Sequence, residues 1–481
     1  MQDFLTATSS IIWGKALVFL CLFTGIYFSF KTRFMQIRLI KPMITLLFRS
    51  SSSQQGVSSF QSLMISLSGR IGTGNIAGTA TAVYYGGPGS LFWMCAIAFF
   101  GAASAFVEST LAQLWKKEVN GEYRGGPPYY IEKGLGSRRG ALIFSCVAML
   151  SCGIFLPGVQ SNAIAAAMSN GGGISPAITA VAVTAALIFI IYGGTKMLAR
   201  ASVIIVPVVT LAYIAVTAVI IIANIEKLPS VLAQILSSAF GSNAAFGGIL
   251  GSAVSWGVKR GIYSNEAGQG TGAYAAAAAE TSHPAKQGLV QAFSVYIDTL
   301  LICLSTGLML LLTGCYNVAG KGEMLTENLQ GIAPGPVYAQ AAVSTVFPSF
   351  GAVFIAAALT LFAFTSLVAL YYQSETNALY LFSKRGGGRL PVNILRPAFL
   401  VFVFISCIST PQYAWAMGDI GSGLLTWCNI SVILLLQSPA LWLLKDYEEQ
   451  RRRGTDPFFT PDGTGINGAG LWRQINRNKN K

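Results

Sequence analysis

The sequence predicts an all-α polytopic membrane protein with about eleven transmembrane helices, and three observations support this prediction. Of the 481 residues, 53% are hydrophobic and only 10% are charged, with a mean hydropathy of +0.58. Soluble domains have about 25% charged residues. Apolar stretches of roughly 20 residues, long enough to cross about 30 Å of hydrocarbon, recur along the chain. The basic residues fall mostly in alternate connectors between these stretches.

The predicted spans define a topology. They centre on Leu20, Gly74, Ala102, Ser151, Ala185, Leu211, Val254, Leu304, Leu361, Val403 and Ile433. Because basic connectors stay in the cytoplasm, the N-terminus is expected outside and the C-terminus inside. We expect the chain to lie in a plasma membrane, the bacterial inner membrane, with lipid around it. The net charge of +14 follows from these connectors and predicts no nucleic-acid partner.

Glycines interrupt two of the predicted spans. Gly72-Thr73-Gly74-Asn75 lies in the middle of the apolar stretch 60–85, and a glycine-rich segment, 247–257, opens the seventh span. Unpaired backbone groups are costly in hydrocarbon, so broken spans are typical of transporter binding sites. Five spans separate the two starts, an offset that predicts a five-plus-five inverted repeat with two broken helices and one extra N-terminal helix.

This organisation predicts four regions along the chain. Residues 1–50 form the extra transmembrane helix and an inner amphipathic segment, for which a plain basic linker is the alternative. Residues 51–225 form the first five-helix repeat, and residues 226–447 form the second. Residues 448–481 form a cytoplasmic tail. Because the tail is polar and rich in Gly and Asn after Gly454, we expect it to be loosely ordered.

Several separate motifs resemble those of the alanine or glycine:cation symporter family. They appear in the family's order from about residue 11 to about residue 447: Gly72-Thr73-Gly74-Asn75-Ile76-Ala77-Gly78, Arg124-Gly125-Gly126-Pro127-Pro128-Tyr129-Tyr130-Ile131, Ser264-Asn265-Glu266-Ala267-Gly268, and His283-Pro284 followed by Gln287-Gly288-Leu289-Val290-Gln291. The resemblance implies the inverted-repeat fold of the bacterial leucine transporter. It also implies sodium-driven import of a small neutral amino acid by alternating access. The working unit is expected to be a monomer.

The first broken span supplies most of the predicted substrate site. Backbone amides near Gly72, Thr73, Gly74 and Asn75 can donate to a substrate carboxylate, and glycine lets the backbone approach closely. Helix packing through small residues is the alternative for Gly74. Three side chains are predicted to line the pocket: Gln160, Trp256 and Leu370. For Gln160 the alternative is an interhelical hydrogen bond. For Trp256 it is a position that faces lipid.

A sodium ion is the predicted coupling ion. In the fold that the resemblance implies, the ninth span supplies paired hydroxyls, here Thr365 and Ser366, which could equally bond their own helix. The carbonyls of Ser68 and Ile71 would complete an oxygen shell suited to an alkali cation. Arg70 and Asp298, charged residues within apolar segments, are predicted to form a charge network, either an ion pair or part of the cation site.

The substrate and the class of protein leave alternatives open. Leu370 stands where tryptophan is frequent in the family, so we expect a larger pocket that accepts alanine, serine or glutamine rather than glycine. A proton-coupled transporter or an amino-acid sensor that does not transport would use the same scaffold. The sequence predicts no enzyme, because its only histidine, His283, lies in a connector and no catalytic motif is present.

Overall fold

The computed structural model of the chain describes residues 2–48, 53, 55–193, 195–242, 250–320, 322–382 and 389–479. The first half contains the helices α1 (Gln2–Ile12), α2 (Lys15–Lys31), α3 (Met35–Arg38), α4 (Ile40–Leu46), α5 (Ser59–Arg70), α6 (Thr79–Gly86), α7 (Gly89–Leu114), α8 (Pro127–Gly134), α9 (Arg138–Leu150), α10 (Leu156–Gly172), α11 (Pro176–Gly193) and α12 (Thr195–Ala223). The second half contains α13 (Leu228–Ala239), α14 (Leu250–Asn265), α15 (Gly272–Ala278), α16 (Pro284–Val295), α17 (Leu304–Thr313), α18 (Pro336–Ser344), α19 (Gly351–Phe382), α20 (Arg389–Cys407), α21 (Pro411–Leu435), α22 (Gln437–Arg452) and α23 (Gly470–Lys479).

Eight helical segments in the described ranges are long and apolar enough to cross a membrane: Asp3–Lys31, Gly89–Leu114, Arg138–Gly172, Pro176–Gly193, Arg200–Ala223, Pro284–Thr313, Gly351–Phe382 and Pro411–Leu435. A shorter apolar helix, Pro391–Cys407, coincides with the tenth predicted span. The second predicted span is an interrupted helix, and the seventh coincides with α14 over its described residues. The chain is therefore a multi-pass membrane protein, while the count of about eleven spans, the inverted repeat and the limits of the four regions stay predictions.

The fold is mostly helical but not entirely so. Two short antiparallel hairpins lie in connectors, one formed by β1 (Lys117–Val119) with β2 (Glu122–Arg124) and one by β3 (Asn317–Ala319) with β4 (Met324–Glu327). The turn between β1 and β2 is Asn120-Gly121, and both residues have positive φ, 54° and 80°. This Asn-Gly pair is a strong local signal for a hairpin.

The first broken helix lies where the sequence predicts it. Helix α5 ends at Arg70, and Ile71 leaves the helical region with φ −76° and ψ 102°. The chain then forms a π-helical turn, Gly74–Gly78, and continues into α6. The interruption therefore falls on Ile71 to Thr73, within an apolar helical stretch.

The second break does not lie where the sequence predicts it. Helix α14 is continuous from Leu250 to Asn265, whereas residues 247–249 of the predicted break lie outside the described residues. The interruption comes at 266–271, where Glu266 and Gly268 have φ of +56° and +87°. Gly257 instead permits close packing on α7, because a Cβ there would lie 2.6 Å from the Ser90 carbonyl oxygen.

The segment from Phe34 to Phe48 is helical rather than a plain linker. It forms the short helices α3 and α4, with Met35 and Met43 buried. Ile40 and Ile44 are exposed on the other side. The segment is thus helical with one buried side, and its place on the inner membrane surface stays a prediction.

The tail is ordered over its described part, which corrects the expectation of a loose segment. Trp472 is fully buried, and its indole N–H donates to the carbonyl oxygen of Gln113 over 3.2 Å. The backbone N–H of Phe459 donates to the carbonyl oxygen of Ser282 over 2.9 Å. The tail is therefore docked on the end of α7 and on the connector before α16, although its average composition is polar.

Candidate functional site

Three donors converge on side-chain oxygens at the first break. The backbone N–H of Gly72 donates to Asn75 Oδ1 over 2.8 Å. The backbone N–H and the hydroxyl of Thr73 both donate to Gln160 Oε1, over 3.0 and 2.8 Å. Gln160 comes from α10, so these contacts are interhelical hydrogen bonds, and its role in binding substrate stays a prediction. The donors freed by the break are thus each satisfied by an amide oxygen.

Gly72 lies where no side chain fits. A Cβ at this position would be 2.5 Å from Ser366 Oγ and 2.8 Å from Gln160 Oε1. Contacts under 3.0 Å are essentially absent around real Cβ atoms. Glycine therefore lets the broken backbone pass directly between α10 and α19.

One of the two predicted hydroxyls faces the break. Ser366 Oγ lies 3.3 Å from the carbonyl oxygen of Ile71 and 3.1 Å from that of Phe362. The hydroxyl of Thr365 donates to the carbonyl of Phe362 over 2.9 Å, within its own helix. The hydroxyl of Ser68 likewise bonds the carbonyl of Ile65 within α5. Ser366 and Ile71 are thus the two members of the predicted sodium shell that the structure brings into contact.

Asp298 joins the two broken helices. It lies in the π-helical segment Tyr296–Cys303 and is fully buried. Its Oδ1 accepts from Asn75 Nδ2 over 2.6 Å and from Ser264 Oγ over 3.2 Å, and its Oδ2 accepts from Thr299 Oγ1 over 2.7 Å. Gly74 packs on the same residue of α14, since a Cβ there would lie 3.1 Å from Ser264 Cα.

Arg70 and Asp298 are not ion-paired with each other. The Arg70 guanidinium donates through Nη1 to the carbonyl oxygen of Gln291, over 3.1 Å, and to Ser294 Oγ. Both partners lie on α16, Gln291 about two turns and Ser294 about one turn before Asp298. The carboxylate of Asp298 accepts from hydroxyl and amide donors instead. The predicted network is therefore an arrangement of buried polar groups in which the two charges have separate partners.

A carboxylate holds the second interruption. Glu108 on α7 accepts through Oε2 from the backbone N–H of Gly270 over 3.1 Å and from Asn429 Nδ2 over 2.8 Å. Asn429 Nδ2 also donates to the carbonyl oxygen of Gly268 over 3.0 Å. Neither Glu108 nor Asn429 is among the site residues that the sequence predicts. The available signal was the run of glycines that follows Glu266.

Two predicted pocket residues lie away from these donors. Trp256 stacks on Tyr85 at 4.3 Å between ring centroids. It precedes Ser264 by about two helical turns, or about 12 Å along α14. Leu370 is buried in the hydrophobic core and follows Ser366 by one turn of α19. The structure therefore places Leu370 one turn from Ser366 and Trp256 near the middle of α14, two turns from Ser264.

Buried ion pairs lie on both sides of the break. On one side, Asp419 accepts from Arg260 Nη1 over 2.6 Å and from Lys259 Nζ over 2.6 Å. On the other side, Arg124 of β2 pairs with Glu375 of α19 over 3.1 Å. Each pair links elements that are far apart in the sequence.

The model of the sodium:alanine symporter family matches residues 1–461. The chain belongs to this family. A candidate sodium/proton-dependent alanine carrier of Bacillus subtilis is 51% identical, with 98% of each chain covered. The sodium/proton-dependent alanine carrier protein of Bacillus sp. (strain PS3) is 50% identical, over 89% of this chain and 97% of its own length.

Among solved structures, a mutant manganese transporter of Eremococcus coleocola is 15% identical, with a TM-score of 0.48, covering 87% of this chain and 84% of that one. Because the family and the two alanine carriers are transporters, the chain is a membrane transporter and not an enzyme.

Proposed function

We propose that this symporter imports a small neutral amino acid of about the size of alanine together with sodium, by alternating access. Alanine, serine and glutamine are the proposed substrates. The broken helix between α5 and α6 binds the amino acid, and α19 supplies the ion site beside it. The protein works as a monomer in the inner membrane of a bacterium, with its N-terminus outside and its C-terminus in the cytoplasm.

The single observation behind this proposal is the pair of Thr73 donors. Its N–H and its hydroxyl point at one acceptor, Gln160 Oε1, at 3.0 and 2.8 Å. A carboxylate oxygen has the same acceptor chemistry and a full charge, so it makes stronger hydrogen bonds with the same donors. When the substrate carboxylate takes this place, the Gln160 side chain turns away and its amide becomes available to the rest of the substrate.

Sodium fits the contact between Ser366 and Ile71. A hydroxyl and a backbone carbonyl are hard oxygen ligands, which alkali cations prefer over nitrogen or sulfur. The carbonyl of Ser68 and the hydroxyl of Thr365 complete the proposed shell. The ion would neutralise part of the negative charge that the amino-acid carboxylate brings to a buried site, and this charge balance couples the two substrates.

The buried ion pairs on either side of the break provide gates for alternating access. Breaking Arg260–Asp419 would open one side, and breaking Arg124–Glu375 would open the other. Each pair is buried, so opening must exchange protein partners for water. Access to one side at a time follows if the two pairs are not broken together.

Uptake into vesicles tests the proposal. Purified protein in liposomes should accumulate labelled alanine against its gradient when sodium is higher outside, and an equal potassium gradient should give none. Gln160→Glu should abolish uptake, because it fixes a carboxylate of the same shape against Thr73. Accumulation without sodium, or normal uptake by Gln160→Glu, would contradict the proposal.

Proton coupling is the second candidate, and one buried oxygen favours it. Glu108 Oε1 has no hydrogen-bond partner among the described residues, whereas Oε2 has two donors. An ionised carboxylate with an unsatisfied buried oxygen is costly, and a proton would remove that charge. Accumulation driven by a pH gradient alone, and lost in Glu108→Gln, would identify protons as the coupling ion.

A further inference from the structure

A cleft opens where the tail meets the amphipathic segment. Its volume is 430 Å³, within the range of about 300–1,000 Å³ that is typical of ligand sites. Helix α4 forms one wall with Lys41 and Thr45, and α22 forms another with Arg451. The first turn of α16 and the docked start of the tail close the remaining sides. The cleft is separate from the proposed transport site.

Positive charge dominates this cleft. Three cationic side chains, those of Lys41, Lys286 and Arg451, line it together with one carboxylate, that of Asp456. Lys286 Nζ donates to Asp456 Oδ1 over 2.7 Å, so this carboxylate is already paired. Among the residues that the structure describes, Lys41 and Arg451 have no carboxylate within ion-pair distance. Two positive charges therefore remain for an anion.

Two threonines also line the cleft, Thr45 and Thr455. Each hydroxyl donates to a carbonyl oxygen of its own segment, Thr45 Oγ1 to that of Lys41 over 2.8 Å and Thr455 Oγ1 to that of Gln450 over 2.9 Å. The donors that remain for a ligand are therefore the ammonium of Lys41 and the guanidinium of Arg451. Lysine and arginine are the usual partners of phosphate oxygens, so these two side chains match a phosphate group better than an apolar ligand.

The same helix that lines the cleft has an apolar edge. Ile40 and Ile44 of α4 are 43% and 44% exposed, and Phe48 just after it is 77% exposed. They are spaced four residues apart and thus lie on one side of the helix. In a multi-pass membrane protein, such an edge lies in the lipid at the depth where headgroups meet acyl chains. Lys41 follows Ile40 directly, so the cleft opens at headgroup depth.

We propose that this cleft binds the phosphate of an anionic phospholipid from the leaflet on which α4 lies. The phosphate is held by Lys41 and Arg451, and the acyl chains run along Ile40 and Ile44. Because Asp456 of the tail and Lys286 of α16 form the opposite wall, a bound lipid also contacts both sides of the tail's docking site. The inference goes beyond transport and does not depend on the nature of the substrate.

Thermal unfolding of the full-length protein in neutral detergent tests this proposal. We expect added phosphatidylglycerol to raise the Tm in a saturable way, and phosphatidylcholine or inorganic phosphate to leave it unchanged. Lys41→Gln with Arg451→Gln should lose more than half of this shift. The control Arg139→Gln with Lys445→Gln removes two exposed basic side chains that do not line the cleft, and it should keep the shift.

The outcomes separate the sources of the phosphate. An equal shift in the cleft variant and the control would overturn the proposal, as would a shift by inorganic phosphate as large as that by phosphatidylglycerol, which would indicate a soluble anion. If the double variant does not fold, Lys41→Gln alone is expected to lose part of the shift, and a full shift would overturn the proposal. Native mass spectrometry should then show fewer retained phosphatidylglycerol molecules than in the control.

Discussion

Replacing Gly72 with alanine should weaken the binding of the amino acid and of sodium. The new Cβ would lie 2.5 Å from Ser366 Oγ and 2.8 Å from Gln160 Oε1. Both side chains must therefore move, and they contact the Ile71 carbonyl and the Thr73 donors. Overpacking of this kind costs about 1–3 kcal/mol. If this cost falls on the bound state, the affinity for alanine drops by roughly 5- to 150-fold.

Gly69→Ala is the matched control for this change. Gly69 lies three residues earlier, in α5, and its Cβ would be 3.5 Å from Ala369 Cβ and 3.6 Å from Gln373 Nε2, both ordinary contacts. Initial rates of labelled alanine uptake over a range of concentrations give KM and kcat for both variants. We expect wild-type kinetics for Gly69→Ala and a raised KM for Gly72→Ala. A wild-type KM and sodium dependence for Gly72→Ala would refute the proposed role of the break.

Three further predictions concern sodium, selectivity and pH. Sodium should raise the Tm of the purified protein and potassium should not. Ser366→Ala should abolish this rise. Thr365→Ala should reduce the rise less, because the Thr365 hydroxyl bonds its own helix. Leu370→Trp should lower glutamine uptake more than alanine uptake, because excluding extra methylenes from a pocket is worth about 1–3 kcal/mol. If unlabelled amino acids compete with labelled alanine in the same order in both proteins, this residue lies outside the pocket. Burial lowers the pKa of His283 more than its hydrogen bond to Asp446 raises it. Stability should therefore be full above the ordinary histidine pKa of about 6.5 and fall as the pH drops below it. The Tm of His283→Asn should fall less than that of the wild type between pH 7 and pH 5. Equal falls would show that protonation of His283 does not cause the loss of stability.

The first break was predictable because it combines two local signals. Gly72 and Gly74 weaken a helix in a stretch that is otherwise apolar, and Asn75 provides a side-chain acceptor for a freed amide. The structure uses Asn75 in this way, since its Oδ1 accepts from the Gly72 N–H. Local sequence was sufficient here because the break is closed by a residue three positions away.

The second break was misplaced because glycine has two uses in helices. The glycines of α14 were interpreted as helix breakers, but Gly257 allows close approach to Ser90 on α7. The actual interruption requires left-handed backbone at Glu266, and a non-glycine residue gives no clear sequence signal for that conformation. Its stabilising partner, Glu108, comes from a distant helix. Such contacts depend on tertiary packing and cannot be found from local pattern alone.

The partners of the charged residues and the position of the tail were beyond sequence reasoning for the same reason. The sequence showed that Arg70 and Asp298 lie in apolar segments, but their partners on α16 and at the break are set by helix packing. Trp472 is one aromatic residue in a polar segment, yet it is fully buried against the end of α7. Average composition does not reveal a docking contact made by so few side chains.

Equilibrium binding of labelled alanine to the purified protein, measured across a series of sodium concentrations, tests the central claim most directly. The account predicts that sodium lowers the Kd for alanine and that alanine lowers the Kd for sodium by the same factor, because the two sites share the break between α5 and α6. The coupling should disappear in Gly72→Ala and persist in Gly69→Ala. An alanine Kd that is identical in sodium and in potassium would contradict the account.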